Sequence, residues 1–282
     1  MTPEEEAYVV AKAYVPEHIV SLMTLISRGD AFLSEDYLGF AMDNWLIIVG
    51  YPLGRTFSGE SCGRVVERAV QNYRPEVLWF IGPDLPPSLQ DGCTERQSDQ
   101  YYLLDIARTA QKSALLRTAA KAGQGLALER ERVFSREHEQ LVMEFLSRTD
   151  VSPRVRALYL AMPGYVGHSP TAWTLSARDR GGRLCAFIVV ELGAATFSAY
   201  LLGAHSKLYD APHASDLLFS EMIKLTQECG KTAINLGLGV HAGIRRFKEK
   251  WGGKPALRYE FCERRYATAK SVSRLAALFG GL

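Results

Sequence analysis

The sequence has few cysteines, and their spacing fits neither a metal site nor a redox motif. The five cysteines of this 282-residue chain are far apart and include no C-x-x-C pair: Cys62, Cys93, Cys185, Cys229 and Cys262. An odd number of scattered cysteines in a long chain fits a reducing compartment and argues against a disulfide framework. The six histidines are scattered too, so the sequence predicts no metal site.

Long apolar runs are also missing, and the sequence predicts no signal peptide. The longest apolar stretches, such as residues 45–49 and 186–190, have the length of a strand and not of a membrane span. The N-terminus reads M-T-P-E-E-E, which is too acidic for a signal peptide. We therefore expect a soluble, cytoplasmic protein without a transmembrane segment.

The chain lacks a strong net charge and a recognised phosphate loop. A formal charge of +2 is too small to predict nucleic-acid binding, so any basic site must be local. The glycine-containing loop at residues 54–63 lacks both the Lys-Ser/Thr ending of a P-loop and the G-x-G-x-x-G spacing. We interpret it as a plain connection between a strand and a helix.

Both halves of the chain show the same order of elements, namely a helix, antiparallel strands, a helix and a strand. Sequence signals predict a hairpin at residues 37–50 and another at residues 184–202. We therefore expect an α/β protein of the α+β type, with mixed, mostly antiparallel sheets flanked by helices. Its predicted parts are a first domain at 1–130, a second domain at 131–265 and a basic amphipathic tail at 266–282.

Glycines and basic residues are concentrated at residues 235–255, which read N-L-G-L-G-V-H-A-G-I-R-R-F-K-E-K-W-G-G-K-P. A short strand leads to Gly237 and Gly239, and a basic helix follows at 241–250. Such a turn brings backbone N–H groups and cations to one strand end, where an anion or developing negative charge can be held. The alternative is a surface helix with a solvated basic face.

These patterns resemble a known group of transferases. The order of elements in the second half resembles the GNAT acyltransferase fold, and the motif G-I-R-R-F-K-E-K-W-G-G-K-P is similar to the C-terminal motif of Fem-type aminoacyltransferases, which carry two GNAT-like domains in tandem. S-A-L-L-R-T-A-A-K-A-G is similar to the segment that joins those domains. L-I-I-V-G-Y-P-L-G and Y-Y-L-L-D resemble the lysylphosphatidylglycerol synthetase C-terminal region, a related tandem. The resemblance spans most of residues 30–262.

The resemblance implies two GNAT-like domains in tandem and a bacterial acyltransferase. Such an enzyme transfers an N-acyl or aminoacyl group to an amine acceptor, for which a cell-wall or lipid precursor is expected. It also implies that Phe247 and Lys248 lie at the reacting centre, where the lysine steadies charge on the acyl ester. This role agrees with the general stabilisation of an oxyanion by a nearby cation. The alternative for Lys248 is a solvated surface lysine.

Other candidates follow from residue type and position. His241 and Glu191 are candidate catalytic bases because imidazole and carboxylate groups can accept a proton. The candidate substrate-binding residues lie at strand ends or carry positive charge beside Lys248: Asn235, Gly237, Gly239, Arg245, Arg246 and His205. Each has a structural alternative, such as a strand-end hydrogen bond or a solubilising surface.

The acyl donor stays open between acyl-CoA and aminoacyl-tRNA. Ordinary GNAT enzymes hold the CoA pyrophosphate with a Q/R-x-x-G-x-G/A loop, whereas this chain reads Y-D-A-P-H-A-S-D-L-L there. The missing glycines argue against CoA held in that way. The chain also lacks a counterpart of the long helical arm that some Fem proteins have, so the sequence gives no support of that kind to a tRNA donor. We expect no tightly bound cofactor, and the oligomeric state is open. The alternative function is a non-catalytic ligand-binding protein on a degenerate GNAT fold.

Overall fold

The structure, a computed structural model, describes residues 1–109, 111–209 and 211–266. The helices are α1 (Pro3–Lys12), α2 (Val20–Ser27), α3 (Gly59–Tyr73), α4 (Pro87–Gln90), α5 (Ser113–Gly123), α6 (Arg136–Arg148), α7 (Pro153–His168), α8 (Ala214–Glu228) and α9 (Ala242–Lys250). The strands are β1 (Asp30–Ser34), β2 (Tyr37–Met42), β3 (Trp45–Val49), β4 (Val77–Gly82), β5 (Glu95–Asp105), β6 (Ala127–Glu131), β7 (Ala172–Arg178), β8 (Leu184–Glu191), β9 (Phe197–His205), β10 (Ala233–Leu238) and β11 (Lys254–Arg265). The predicted α/β class with mostly antiparallel strands is confirmed.

The chain divides into two compact units. Unit 1 contains Met1–Glu6, Ser27–Asp99 and the chain from Leu257 onward, and unit 2 contains Ala7–Ile26 and Gln100–Ala256. The domain boundary that the sequence predicts at residue 130 stays a prediction. Beyond Tyr266, the expected basic tail lies outside the described residues.

In unit 1 the strands follow the order β1-β2-β3-β4-β11. β3 and β4 run parallel and pair from Trp45 opposite Val77 to Val49 opposite Ile81, while the other neighbours are antiparallel. The Phe80 ring closes the end of this pair, because a Cβ built on Gly50 would lie 2.2 Å from it. The amphipathic helix α3 packs on the sheet through buried valines, and the predicted β2–β3 hairpin is confirmed.

A disulfide joins Cys93 to Cys262 in unit 1 and links positions 169 residues apart in the chain. The sequence argued against disulfides, and for these two cysteines that expectation is wrong. Their separation hid the pairing, because only the return of β11 beside β4 brings Cys262 to the segment before β5. Among the described residues, Cys62 and Cys185 are buried free thiols and Cys229 is an exposed one.

In unit 2 the strands follow the order β5-β10-β9-β8-β7-β6, and β9–β10 is a parallel pair in an otherwise antiparallel arrangement. Every residue of β8 is buried, because helices cover both faces. Phe187 and Val189 pack with α6 and α7, whereas Ala186, Ile188 and Val190 pack with α5 and α8. The alternation follows from the two-residue period of a strand.

Helix α7 contains a proline in its interior. The Pro-Gly pair at residues 163–164 predicts a turn from sequence, but this prediction is wrong, because α7 continues through Pro163. Burial of Met162 and Tyr165 in the core outweighs the cost of a proline inside a helix, about 3 kcal/mol. The structure also has three elements that the sequence signals above do not predict, namely α1, β1 and the strand β6 before α6. Of the helices described, none combines the length and apolar character needed to span a bilayer.

Candidate functional site

The parallel strands β9 and β10 pair at their beginnings and separate afterwards. The last residue pair between them is Asn235 opposite Ala199. β9 then continues to His205 and β10 to Leu238, with no further residue pair between them in the part of the chain that the structure describes. This opening contrasts with the fully paired β3 and β4 of unit 1. Gly237 lies on its β10 side.

Three polar groups surround Gly237. Its φ of +74° belongs to the left-handed region, which glycine adopts without the strain that a side chain would add. A Cβ built there would lie 3.7 Å from the Tyr200 carbonyl oxygen and 3.8 Å from Lys248 Nζ. The Gly237 N–H donates to Asn235 Oδ1 at 2.9 Å. The Tyr200 carbonyl, the Lys248 ammonium group and the Asn235 side-chain amide therefore lie around a backbone position that carries no side chain.

Lys248 is buried, with 5% of its surface exposed. Its Nζ donates to the Leu238 carbonyl at 2.5 Å and lies 5.7 Å from the centre of the Tyr102 ring. The interpretation of Lys248 as a solvated surface lysine is therefore wrong. A buried ammonium group requires hydrogen bonding to offset its loss of hydration, and the Leu238 carbonyl supplies one such bond.

Helix α9 holds Lys248 through its cap and its apolar residues. The His241 imidazole caps the helix by accepting hydrogen bonds from the backbone of Gly243 and Ile244. Phe247 packs edge-on against Phe219 of α8, with ring centres 5.1 Å apart. His241 thus has a structural task in the cap, and Phe247 anchors the helix that carries the lysine.

Asp216 ties α9 to α8. Its buried carboxylate accepts hydrogen bonds from Lys250 Nζ at 2.6 Å and Trp251 Nε1 at 3.1 Å, and it lies 3.1 Å from His213 Nδ1. Burial alone would raise the pKa of Asp216, but hydrogen bonds from Lys250, His213 and Trp251 together lower it. The Asp216 carboxylate is thus held ionised, and one of the groups that keep it so is Lys250 of the basic helix α9.

The other sequence candidates do not all gather at Gly237. Arg245 and Arg246 are exposed on α9, and Gly239 donates its N–H to the Gln100 carbonyl at 3.1 Å. His205 is exposed at the end of β9, where its carbonyl accepts a hydrogen bond from Arg148. Their roles in binding stay predictions.

Glu191 lies fully buried at the end of β8. It accepts hydrogen bonds from the Tyr165 hydroxyl, from Ser169 Oγ at 3.4 Å and from the Gly193 N–H at 2.6 Å. This network gives Glu191 a structural task in holding the β8–β9 turn. Its predicted role as a base is not tested by the structure.

Sequence reasoning missed several residues near the opening. In the sequence, Tyr101 and Tyr102 stand out only as part of the motif Y-Y-L-L-D, although Tyr102 lies beside Lys248 and the Tyr101 hydroxyl donates to Glu17 at 2.7 Å. No local pattern singles out Glu17, which lies in a short 3-10 turn, Pro16–His18. Its partner lies 84 positions away.

The beginning of α8 differs from a pyrophosphate-binding helix start. Its N-cap, His213, adopts a left-handed conformation with φ of +66° and makes no side-chain capping hydrogen bond. Asp216 places a buried carboxylate in the first turn. A groove of about 510 Å³ lies beside the preceding segment, lined by Lys121, Arg183 and Tyr209 among others.

Comparisons with known proteins agree on the fold. Neither a protein-family model nor a curated protein sequence matches the chain. The C-terminal DUF2156 domain of a proposed lysylphosphatidylglycerol synthetase from Agrobacterium fabrum superposes with a TM-score of 0.61 at 18% identity, covering 99% of this chain and 97% of that one. FemX gives 0.60 at 11% identity over 98% of both chains.

A tandem GNAT protein from the clavulanic acid biosynthesis pathway gives a TM-score of 0.56 at 13% identity, covering 94% of this chain and 95% of that one. Identities this low establish a common fold and not a common substrate. The sequence-based expectation about architecture is confirmed. The chain has a tandem GNAT-like fold of the type found in FemX and in the lysylphosphatidylglycerol synthetase C-terminal domain.

Proposed function

We propose that the protein is an acyltransferase that transfers an N-acyl or aminoacyl group to an amine, with the reacting carbonyl held beside Gly237. The observation that carries this proposal is the buried Lys248 ammonium group at the opening between β9 and β10. A buried cation beside the partly buried backbone of a glycine is suited to a substrate group that becomes negatively charged during reaction.

The chemistry assigned to Lys248 is stabilisation of the tetrahedral intermediate. The amine nitrogen attacks the acyl carbon, a C–N bond forms, and the carbonyl oxygen takes a negative charge. Breaking the C–O or C–S bond to the donor then restores the carbonyl and releases an alcohol or a thiol. The hydrogen bond to Leu238 fixes the ammonium group in advance, so little reorganisation is needed when the charge develops. Lys248 should therefore affect turnover more than substrate binding.

For the donor, we propose a binding mode without a pyrophosphate on the start of α8. A pyrophosphate there would meet the negative charge of Asp216, and the segment lacks the expected glycines. Arg245 and Arg246 lie exposed on α9 and could pair with donor phosphates, whether the donor is an aminoacyl-tRNA or an acyl-CoA. The kinship in fold with FemX and a lysylphosphatidylglycerol synthetase domain supports a cell-wall or lipid precursor as the acceptor.

We assign a single reaction site, in unit 2. In unit 1 the parallel strands β3 and β4 pair along all of β3, and the ring of Phe80 occupies the space beyond Gly50. Between these two strands, the described residues leave an acyl chain no opening comparable to the one between β9 and β10.

The first experiment finds a substrate. A thermal-shift screen of acyl-CoAs, aminoacyl-adenylate analogues and cell-wall or lipid precursors should identify ligands, because binding to the folded state raises its melting temperature. Donor and acceptor pairs that bind are then assayed for transfer. Binding without transfer for every pair would favour the non-catalytic alternative.

The second experiment tests Lys248 itself. Lys248→Met keeps an apolar stem and removes the charge, and we expect kcat to fall roughly a hundredfold or more with little change in KM. Lys224→Met on α8 is the matched control, because that lysine is 62% exposed and its loss should leave kcat unchanged. Circular dichroism and urea unfolding establish that each variant is folded. Normal turnover in folded Lys248→Met would remove Lys248 from the mechanism.

A further inference from the structure

A second ionisable group lies on the other face of the strand pair that holds Lys248. Tyr101 of β5 lies opposite Leu238 of β10, whose carbonyl accepts the Lys248 hydrogen bond. Successive strand residues point to opposite faces, so Tyr101 faces away from Tyr102, beside which Lys248 lies. The Tyr101 hydroxyl donates to Glu17 Oε1 at 2.7 Å. The pair Tyr101 and Leu238 therefore links the two groups, because Tyr101 bonds to Glu17 and Leu238 bonds to Lys248.

Glu17 carries an unsatisfied carboxylate oxygen. Its Oε2 atom is buried, and no hydrogen bond reaches this atom from any residue that the structure describes. Among the described residues, the Tyr101 phenol from β5 contacts Glu17, and His18 is the next residue of the same turn. Burial raises the pKa of Glu17 more than the Tyr101 hydrogen bond lowers it. A carboxylate that is costly to bury and only partly paired is typical of a functional site.

Asn235 adds an unsatisfied donor on the same face. It lies opposite Leu103 of β5, two residues from Tyr101, and therefore shares the face of Tyr101. Its Oδ1 is occupied by the Gly237 N–H, whereas its fully buried Nδ2 has no hydrogen-bond partner among the described residues. One acceptor atom and one donor atom thus stand unpaired on the face opposite Lys248. A buried polar atom without a hydrogen-bond partner destabilises the folded chain, so two such atoms on one face call for an explanation.

We propose that Glu17 accepts the proton of the attacking amine and that Asn235 Nδ2 helps to orient the amine-bearing substrate; this inference rests on the proposed transferase function. As the nitrogen forms its bond to the acyl carbon, one N–H proton passes to Glu17 Oε2. When the bond to the donor breaks, that proton passes to the leaving oxygen or sulfur. The acceptor would meet the acyl group from the Glu17 face while Lys248 stabilises the oxyanion from the other.

The kinetic test uses Glu17→Gln in the full chain, assayed with the donor and acceptor found by the screen. We expect kcat/KM to fall about a hundredfold to a thousandfold and the acidic limb of its pH profile to disappear. Glu17→Asp should recover part of the rate. The Tyr101 hydrogen bond lowers the pKa of Glu17, so Tyr101→Phe, which removes this bond, should raise that pKa and move the acidic limb to higher pH. A purely structural Glu17 would not move that limb.

Glu67→Gln, on the exposed face of α3, is the matched control and should behave as the native chain. A Glu17→Gln protein with native turnover and a native pH profile would overturn the inference while leaving the transferase function in place.

A binding test needs no transfer reaction. In carbon-13 NMR of glutamate-labelled protein, the Glu17 carboxyl signal, assigned by its loss in Glu17→Gln, should titrate above the ordinary range of glutamate. Butylamine hydrochloride, used as the probe, should shift this signal and the Asn235 side-chain amide in the native chain. If butylamine binds but no acyl transfer is ever found, the amine site stands and the proposed transferase function fails. If butylamine moves neither signal, the inference fails.

Discussion

The contact between Asp216 and the end of α9 should be a measurable source of stability. In Asp216→Asn the side chain keeps nearly the same shape, loses its charge and presents an NH₂ group to donors. Lys250 Nζ and Trp251 Nε1 both donate to Oδ1, so an amide oxygen at that position can still accept from both. The Lys250 ammonium group, however, loses the negative charge that it pairs with, and the NH₂ group replaces Oδ2 beside His213 Nδ1. The variant thus weakens the link between α8 and the helix that carries Lys248.

The magnitude follows from burial. Removing one member of a buried ion pair costs about 3–5 kcal/mol, but Lys250 is 38% exposed and can recover hydration. We therefore expect the free energy of unfolding to fall by about 2–4 kcal/mol at pH 7. The pKa of Asp216 is lower in the folded chain than in the unfolded one, so this stability is present above the unfolded pKa and is lost as the pH falls through the folded pKa.

Urea unfolding followed by circular dichroism at pH 7 and near pH 3 measures the effect. Asp150→Asn, which changes an exposed aspartate after α6, is the matched control and should stay within about 0.5 kcal/mol of the native chain. The difference between Asp216→Asn and the native chain should shrink at the lower pH. Equal urea midpoints at pH 7 would refute the argument that this carboxylate anchors α9.

Two further predictions concern stability. Burial, followed by the positive charge of Arg178, lowers the pKa of His138 from 6.5 to about 4, so only the unfolded chain binds a proton there between these values. The free energy of unfolding should fall by about 3 kcal/mol from pH 6.5 to 4, and urea midpoints for His138→Gln should show a flatter pH dependence. Replacing Cys93 and Cys262 with serine should lower the free energy of unfolding by about 2–5 kcal/mol. Dithiothreitol should lower the urea midpoint of the native chain but not that of the double serine variant. An equal response of the native chain and the variant would contradict this role of the disulfide.

The sequence by itself determined those features that depend on neighbouring residues. The β2–β3 and β8–β9 hairpins follow from short apolar strands separated by turn residues, and the structure has both. The strand, glycine turn and basic helix around Gly237 also follow from local spacing, and α9 ends at Lys250, shortly before Gly252, whose φ is +91°. These elements suffice to indicate the GNAT-like fold.

Tertiary structure decided which distant residues meet. Glu17 pairs with Tyr101 across 84 positions, and Cys93 pairs with Cys262 across 169. Periodicity describes only the face on which a side chain lies and carries no information about the partner that packing brings to that face. The burial of Lys248 shows the same limit, because a lysine among three other basic residues of one short helix resembles a solvated surface until β10 and Tyr102 enclose it. Contacts of high sequence separation, and not local pattern, turned the basic helix into a candidate site.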